Sequence, residues 1–182
     1  MFKIVFVGDS GVGKTSLTRR YCEDRFDERA RSTVGIDFTA RTTERGSKLS
    51  CWDTAGQERY RSMAAAYYRR CHAIVFVYDA SRASATFGAL EQHWFDEAEQ
   101  HAPDDALRVL VANKCDGASA APLDRARIDV AVRERRLAHV AEVSARTGDG
   151  VAAFFDEIER ALLDRPIAPR DEQHRQPTRC CH

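Results

Sequence analysis

The stretch Gly8-Asp9-Ser10-Gly11-Val12-Gly13-Lys14-Thr15 gathers the residue types that can hold a polyphosphate. Its glycines let consecutive backbone N–H groups turn inward on an anion with no Cβ in the way. The spacing is G-x-x-x-x-G-K-[ST], in which the lysine reaches the β- and γ-phosphates and the hydroxyl takes one position on Mg²⁺. Here those residues are Lys14 and Thr15, and Ser10, Gly11, Val12, Gly13 and Ser16 complete the cradle. A glycine-rich turn could match by accident. Against that, the loop is flanked by the strand-like run Ile4-Val5-Phe6-Val7 and by helix-forming residues from Ser16 to Tyr21. That context puts it at a helix N-terminus, where the dipole favours an anion.

Three further clusters fit the same ligand. In Asp53-Thr54-Ala55-Gly56-Gln57-Glu58, Asp53 can hold Mg²⁺ mostly through water, the Gly56 N–H can meet a γ-phosphate, and Gln57 can orient an attacking water. In Asn113-Lys114-Cys115-Asp116, an in-plane Asp116 carboxylate accepts two hydrogen bonds from guanine's N1–H and amine, a donor pair adenine lacks. The Lys114 stem can cover a base face. Ser144-Ala145-Arg146, at the next strand end, offers backbone N–H groups to the purine carbonyl. Thr33 lies on a polar loop, and its hydroxyl either completes the Mg²⁺ shell when a γ-phosphate is present or is an ordinary surface group.

Elements must carry these residues to one place. Ile36 to Thr43 and Lys48 to Asp53 read as a hairpin turned at Glu44-Arg45-Gly46. Ala73 to Tyr78, Leu107 to Ala112 and the weaker His139 to Val143 are short apolar runs of the kind that form central parallel strands. Between them Phe87, Leu90, Trp94 and Ala98, and later Val151, Phe154, Phe155, Ile158 and Leu162, recur at helical spacing and read as core. Strands alternating with helices predict a doubly wound α/β sheet with ligands at the strands' C-terminal edge. From Pro166 three prolines punctuate a polar stretch, read as a disordered tail ending in Cys180-Cys181-His182.

The 182 residues allow one domain with a full core. With 28 basic and 28 acidic side chains the net charge is +0, which gives no general field for nucleic acid. The longest apolar run, Ala73 to Tyr78, is far short of the ~18 residues of a spanning helix. Six cysteines show no zinc spacing, and Cys51, Cys71 and Cys115 sit in or beside apolar segments as buried thiols do, so a reducing compartment is the simplest reading.

In their order, GDSGVGKTS, Thr33, DTAGQE, NKCD and SAR resemble the Ras superfamily of small GTPases over residues 1 to about 165. Within it the chain is most similar to the Rab family, through Val34-Gly35-Ile36-Asp37-Phe38, Trp52 to Tyr60, Tyr67-Tyr68-Arg69 and the terminal cysteine pair. There is no acidic tail as in Ran, no CaaX ending as in Ras and Rho, and no glycine after the initiator Met as in Arf. The resemblance implies the doubly wound P-loop small-GTPase fold. That is a six-stranded, mostly parallel sheet with one antiparallel edge hairpin strand and helices on both faces, residues 1–165 forming the domain and 166–182 the tail. It also implies that Phe26 stacks on the guanine and that effectors contact Ile36, Phe38, Trp52 and Tyr67, although hairpin aromatics often only pack. Cys180 and Cys181 would be prenylated, or else be a free exposed pair.

The implied activity is slow GTP hydrolysis, on the order of 10⁻⁴ to 10⁻³ s⁻¹ alone, with Gln57 and Lys14 as catalytic residues and GTP/GDP and Mg²⁺ as cofactors. Implied partners are an exchange factor, a GTPase-activating protein, a dissociation inhibitor and effectors. The implied location is the cytoplasmic face of intracellular membranes, reached by cycling through the cytosol in vesicle trafficking. A membrane adaptor with little or no turnover is the alternative, though it has no reason to keep Gln57 in register. A P-loop ATPase or small-molecule kinase fails on Asp116. The chain departs from Rab patterns in three places: only 13 residues, Thr39 to Cys51, separate Phe38 from Trp52, Arg70 stands for Gly, and Arg146 stands for Lys.

Overall fold

Strand β1 (Phe2–Val7) leads into the glycine-rich loop and is buried at every position but Lys3. Successive side chains of a strand point to opposite faces, so its apolar residues feed two cores at once. Ile4 and Phe6 join one cluster and Val5 and Val7 the other. This is the signature of a central strand covered on both sides. The computed structural model describes residues 1–29, 33, 35–54, 64–117 and 123–165. Gly56, Gln57, Cys180 and Cys181 lie outside the described residues, as does the whole segment read as the tail.

Around β1 the sheet adds β2 (Ile36–Thr42), β3 (Lys48–Thr54), β4 (Ala73–Asp79), β5 (Leu107–Asn113) and β6 (His139–Glu142), in the order β2-β3-β1-β4-β5-β6. Every pairing is parallel except β2 against β3, the expected edge hairpin. Its turn closes with Thr43 N–H donating to Ser47 O at 2.8 Å. The trimmed tip does not stand free. Thr43 Oγ1 donates to Glu159 Oε1 at 2.6 Å, and Arg45 pairs with Asp156 and Glu159 on the last helix.

The helices are α1 (Lys14–Glu23), α2 (Ala64–Tyr68), α3 (Ala83–Ala89), α4 (Phe95–His101), α5 (Arg125–Glu134) and α6 (Val151–Leu163). Leu17 and Tyr21 of α1 and Phe154, Phe155, Ile158 and Leu162 of α6 cover one face of the sheet. Phe87, Leu90, Trp94, Phe95 and Ala98, with Ile128 and Ala131 of α5, cover the other. Both predicted apolar stripes are therefore core. A π turn, Leu90–Trp94, joins α3 to α4, a feature that the helical spacing of Phe87, Leu90, Trp94 and Ala98 does not show.

One burial expectation is corrected. Cys51 and Cys71 are buried, but Cys115 is exposed. Its strand ends at Asn113, and Lys114 takes a left-handed φ of 67° that turns the next residue out of the core.

Candidate nucleotide site

The loops at the C-terminal edge of the sheet enclose a cavity of about 460 Å³. Ser10, Gly11, Gly13, Lys14, Thr15 and Ser16 form one end of it. Phe26 and Thr33 line its side, and Asn113, Lys114, Asp116, Ala145 and Arg146 form its far end. Three predicted residues stand behind the wall. Val12 is fully buried in the core, Asp53 lies behind Thr15, and Ser144 lies behind Asp116.

Two glycines of the loop are forced by close approach. A Cβ on Gly8 would lie 2.3 Å from Val77 O, and one on Gly13 would lie 2.3 Å from Asn113 Nδ2. Gly13 has a φ of 94° and opens α1 with no side-chain cap, so the first N–H groups of that helix face the cradle. Lys14 is buried, and its Nζ donates to Gly8 O at 2.7 Å and Asp9 O at 2.9 Å. Burial pushes its ammonium down to about 8, against the pull of Asp53 and Asp9. A phosphate at this point would restore the charge's partner.

Beside the lysine three oxygen-bearing side chains converge. Thr15 Oγ1 donates to Asp53 Oδ2 at 2.5 Å, Thr33 Oγ1 reaches the same oxygen at 3.0 Å, and the two hydroxyls are 2.7 Å apart. Asp53 Oδ1 is buried and has no hydrogen-bond partner among the described residues. Burial raises the carboxyl above its usual range, and the Thr15 bond, the Lys14 charge and the Thr33 bond offset part of that. The Thr33 hydroxyl is thus turned into the site.

At the other end Asn113 ties three loops together. Its Nδ2 donates to Val12 O at 3.0 Å, and its Oδ1 accepts from Ala145 N–H at 3.1 Å. That Ala145 N–H, expected to face a purine carbonyl, is therefore engaged by the Asn113 amide. Asp116 Oδ1 accepts from Ser144 Oγ at 2.7 Å, and Arg146 approaches its other oxygen at 3.7 Å. Lys114 Nζ spans the wall, donating to Gly11 O and to Asp79 Oδ2, each at 2.7 Å.

Two residues that hold this end were not read from the sequence. Asp79, at the end of β4, also accepts from Ser81 N–H at 2.9 Å and from Ser81 Oγ at 2.6 Å. Burial alone would raise its carboxyl, but the bonds from Lys114 and Ser81 hold it below the usual carboxylate range. Arg20 of α1 donates to Ala145 O at 2.9 Å and Arg146 O at 2.8 Å. Only the acid that ends an apolar strand, Asp79, carries a sequence signal, and a weak one.

The four residues that the resemblance assigned to effectors divide by exposure. Ile36 and Phe38 are exposed, the latter at 65%. Trp52 is half-buried and stacks on Phe38 with ring centres 6.0 Å apart. Lys3 Nζ lies 4.1 Å from the centre of the Trp52 ring. Tyr67 packs in the core with Tyr68 and Ile74.

Residues 3–164 match the model of the Ras family. The chain is 38% identical over 184 residues to Ras-related protein Rab-3 of Caenorhabditis elegans, covering 97% of this chain and 80% of that one. It is 38% identical over 166 residues to Ras-related protein Rab-13 of Rattus norvegicus, with 90% and 80% covered. It is 39% identical over 181 residues to Ras-related protein Rab-26 of Bos taurus, with 95% and 70% covered.

Proposed function

This chain belongs to the Ras family and is a Rab-like small GTPase that binds guanine nucleotide, and from that premise we propose that it is a membrane-cycling switch. One observation carries the reading: Thr33, from the loop between α1 and β2, meets Thr15 and Asp53 through side-chain oxygens. A loop that contributes one ligand to a shared site is ordered when the site is filled and released when it is not. The donor set fits Mg²⁺, since one carboxylate and two hydroxyls are hard oxygens and Asp53 Oδ1 is buried with no hydrogen-bond partner among the described residues. Bound there, the ion would neutralise charge developing on the phosphates.

The chain's own residues do the rest. Backbone N–H groups of the Ser10–Ser16 loop hold the phosphates, Lys14 turns from its carbonyl partners onto the β- and γ-phosphates, and Thr33 closes when the γ-phosphate is present. Gln57 orients the attacking water, and Gly56 senses the γ-phosphate through its N–H. Phe26 and Lys114 sandwich the base whose edge Asp116 reads. Residues roughly 27–37 and 54–66 are the two responding loops, so exchange factor, activating protein, dissociation inhibitor and effectors all act on nucleotide-dependent surface. Ile36, Phe38 and Trp52 serve effectors in vesicle trafficking, while Tyr67, buried in the core, supports that surface from behind. Gln57→Leu should slow single-turnover hydrolysis by about 10²-fold or more while leaving GTP affinity near wild type. An unchanged rate would remove Gln57 from the mechanism.

Membrane attachment is assigned to Cys180 and Cys181, both geranylgeranylated. Among the described residues no helix is long and apolar enough to cross a bilayer. A single lipid chain holds only marginally, so stable anchoring needs a second signal. Charge in the tail is a weak substitute: Arg170, Arg175 and Arg179 against Asp171 and Glu172 leave +1 over residues 166–182. Intact-mass measurement of protein from a prenylating host should show two C20 additions. Membrane-bound protein with an unmodified tail would exclude this assignment.

A further inference from the structure

A pair of side chains tethers the phosphate loop to the helical layer beside it. Trp94, the last residue of the π turn, is 3% exposed, and its Nε1–H donates to Asp9 Oδ1 at 3.0 Å. A wide turn takes up an extra residue and redirects the side chains beyond it, and such turns concentrate at functional sites. Asp9 is the second residue of the loop, and its main-chain carbonyl accepts from Lys14 Nζ at 2.9 Å. The same residue thus places the lysine through its backbone and brings a negative charge through its side chain. An inward swing of that carboxylate would set like charge against a polyphosphate. A bond from a donor to an ionised acceptor is among the stronger ones a side chain can make.

We propose that Trp94 is a positioning residue for the phosphate loop. Its indole N–H holds the Asp9 carboxylate toward the α3–α4 layer, which fixes the first turn of the loop and keeps the charge away from the phosphates. The inference rests on the loop being the cradle for nucleotide phosphates.

The test uses the full chain loaded with fluorescent GDP. Trp94→Phe keeps the ring packing and removes the donor, and should speed GDP release about tenfold. Adding Asp9→Ala to that variant should restore most of the wild-type rate, because the unheld charge is gone. An unchanged rate in Trp94→Phe, or a loss that Asp9→Ala does not relieve, overturns the proposal, the second because it marks a packing role only. A further measurement needs no change at Trp94: the indole ¹H–¹⁵N resonance of Trp94 in the GDP form should shift in Asp9→Ala. A resonance that stays in place also overturns it. Failure of the wild-type protein to bind GDP would instead overturn the reading of the cradle.

Discussion

Asp116→Asn should move the nucleotide preference of this chain from guanine toward xanthine. Asp116 is held within the fold: Ser144 Oγ donates to its Oδ1 at 2.7 Å, and its side chain is only 17% exposed. The segment that carries it is pinned by Asn113 to Val12 O and to Ala145 N–H. A carboxylate fixed in this way offers acceptors to two donors on one edge of a ring, and guanine alone among the common bases presents that pair. A site built to hydrogen-bond its substrate rejects an unmatched analogue by about 10⁴-fold, because a buried polar group is left without a partner. In the asparagine variant the amide donates to the second carbonyl of xanthine and faces the guanine amine with like polarity. Displacement of bound fluorescent GDP by GDP and by XDP should therefore reverse in order. If the variant still prefers GDP by the wild-type margin, Asp116 does not read the base. Ser144→Ala should weaken GDP binding about tenfold without altering the preference, since it removes the group that orients the carboxylate and leaves its charge.

The sequence made the sheet legible because its central strands are buried on both faces, so Ile4 to Val7 and Ala73 to Tyr78 appear as unbroken apolar runs and Leu107 to Ala112 as one interrupted only by Arg108. The residues proposed to touch nucleotide were legible for a different reason. Phosphate, metal and base each demand a particular donor at a particular point of a strand–loop junction, and that demand fixes spacing. The ties behind the site have no such spacing. Lys114 meets Asp79 across 35 positions, Trp94 meets Asp9 across 85, and Arg20 meets Ala145 across 125. Each depends on which strands become neighbours, and that follows only once the sheet order is known. The π turn was hidden because Phe87, Leu90, Trp94 and Ala98 satisfy helical spacing whether or not one turn is wide. Cys115 was misread because apolar neighbours signal burial only while the strand continues, and it ends two residues earlier. Thr33 stayed open between surface and site, and the bond to Asp53 now gives its side chain a definite partner.

That bond leads to the second large effect. Asp53→Asn and Thr15→Asn should each abolish the difference that Mg²⁺ makes to GDP release, and only the first should also stabilise the nucleotide-free chain. Asp53 is 3% exposed, and burial lifts its carboxyl above the usual range despite the bonds from Thr15 and Thr33 and the charge of Lys14. A raised pKa in the folded state means that the folded chain holds the proton more tightly than the unfolded one. The stability Asp53 contributes is then full below the unfolded value, about 3.9, and is lost as pH rises through the folded value. At neutral pH the charged Asp53 costs stability in the absence of a cation. Asparagine removes that cost, so the nucleotide-free variant should melt higher than wild type at pH 7, with the gap closing toward pH 4. A divalent cation offsets the same cost in the wild type, which is why the buried carboxylate can serve as a metal site. With Mg²⁺ present, losing the Thr15 ligand should speed GDP release by at least about 100-fold, and losing Asp53, which holds the ion mostly through water, by about 10- to 100-fold. The measurement is GDP release in Mg²⁺ and in EDTA, beside thermal melts at both pH values. Variants that keep the wild-type gap between Mg²⁺ and EDTA would show that the ion sits elsewhere. An Asp53→Asn protein that melts lower at pH 7 would show that the charge is already compensated within the fold.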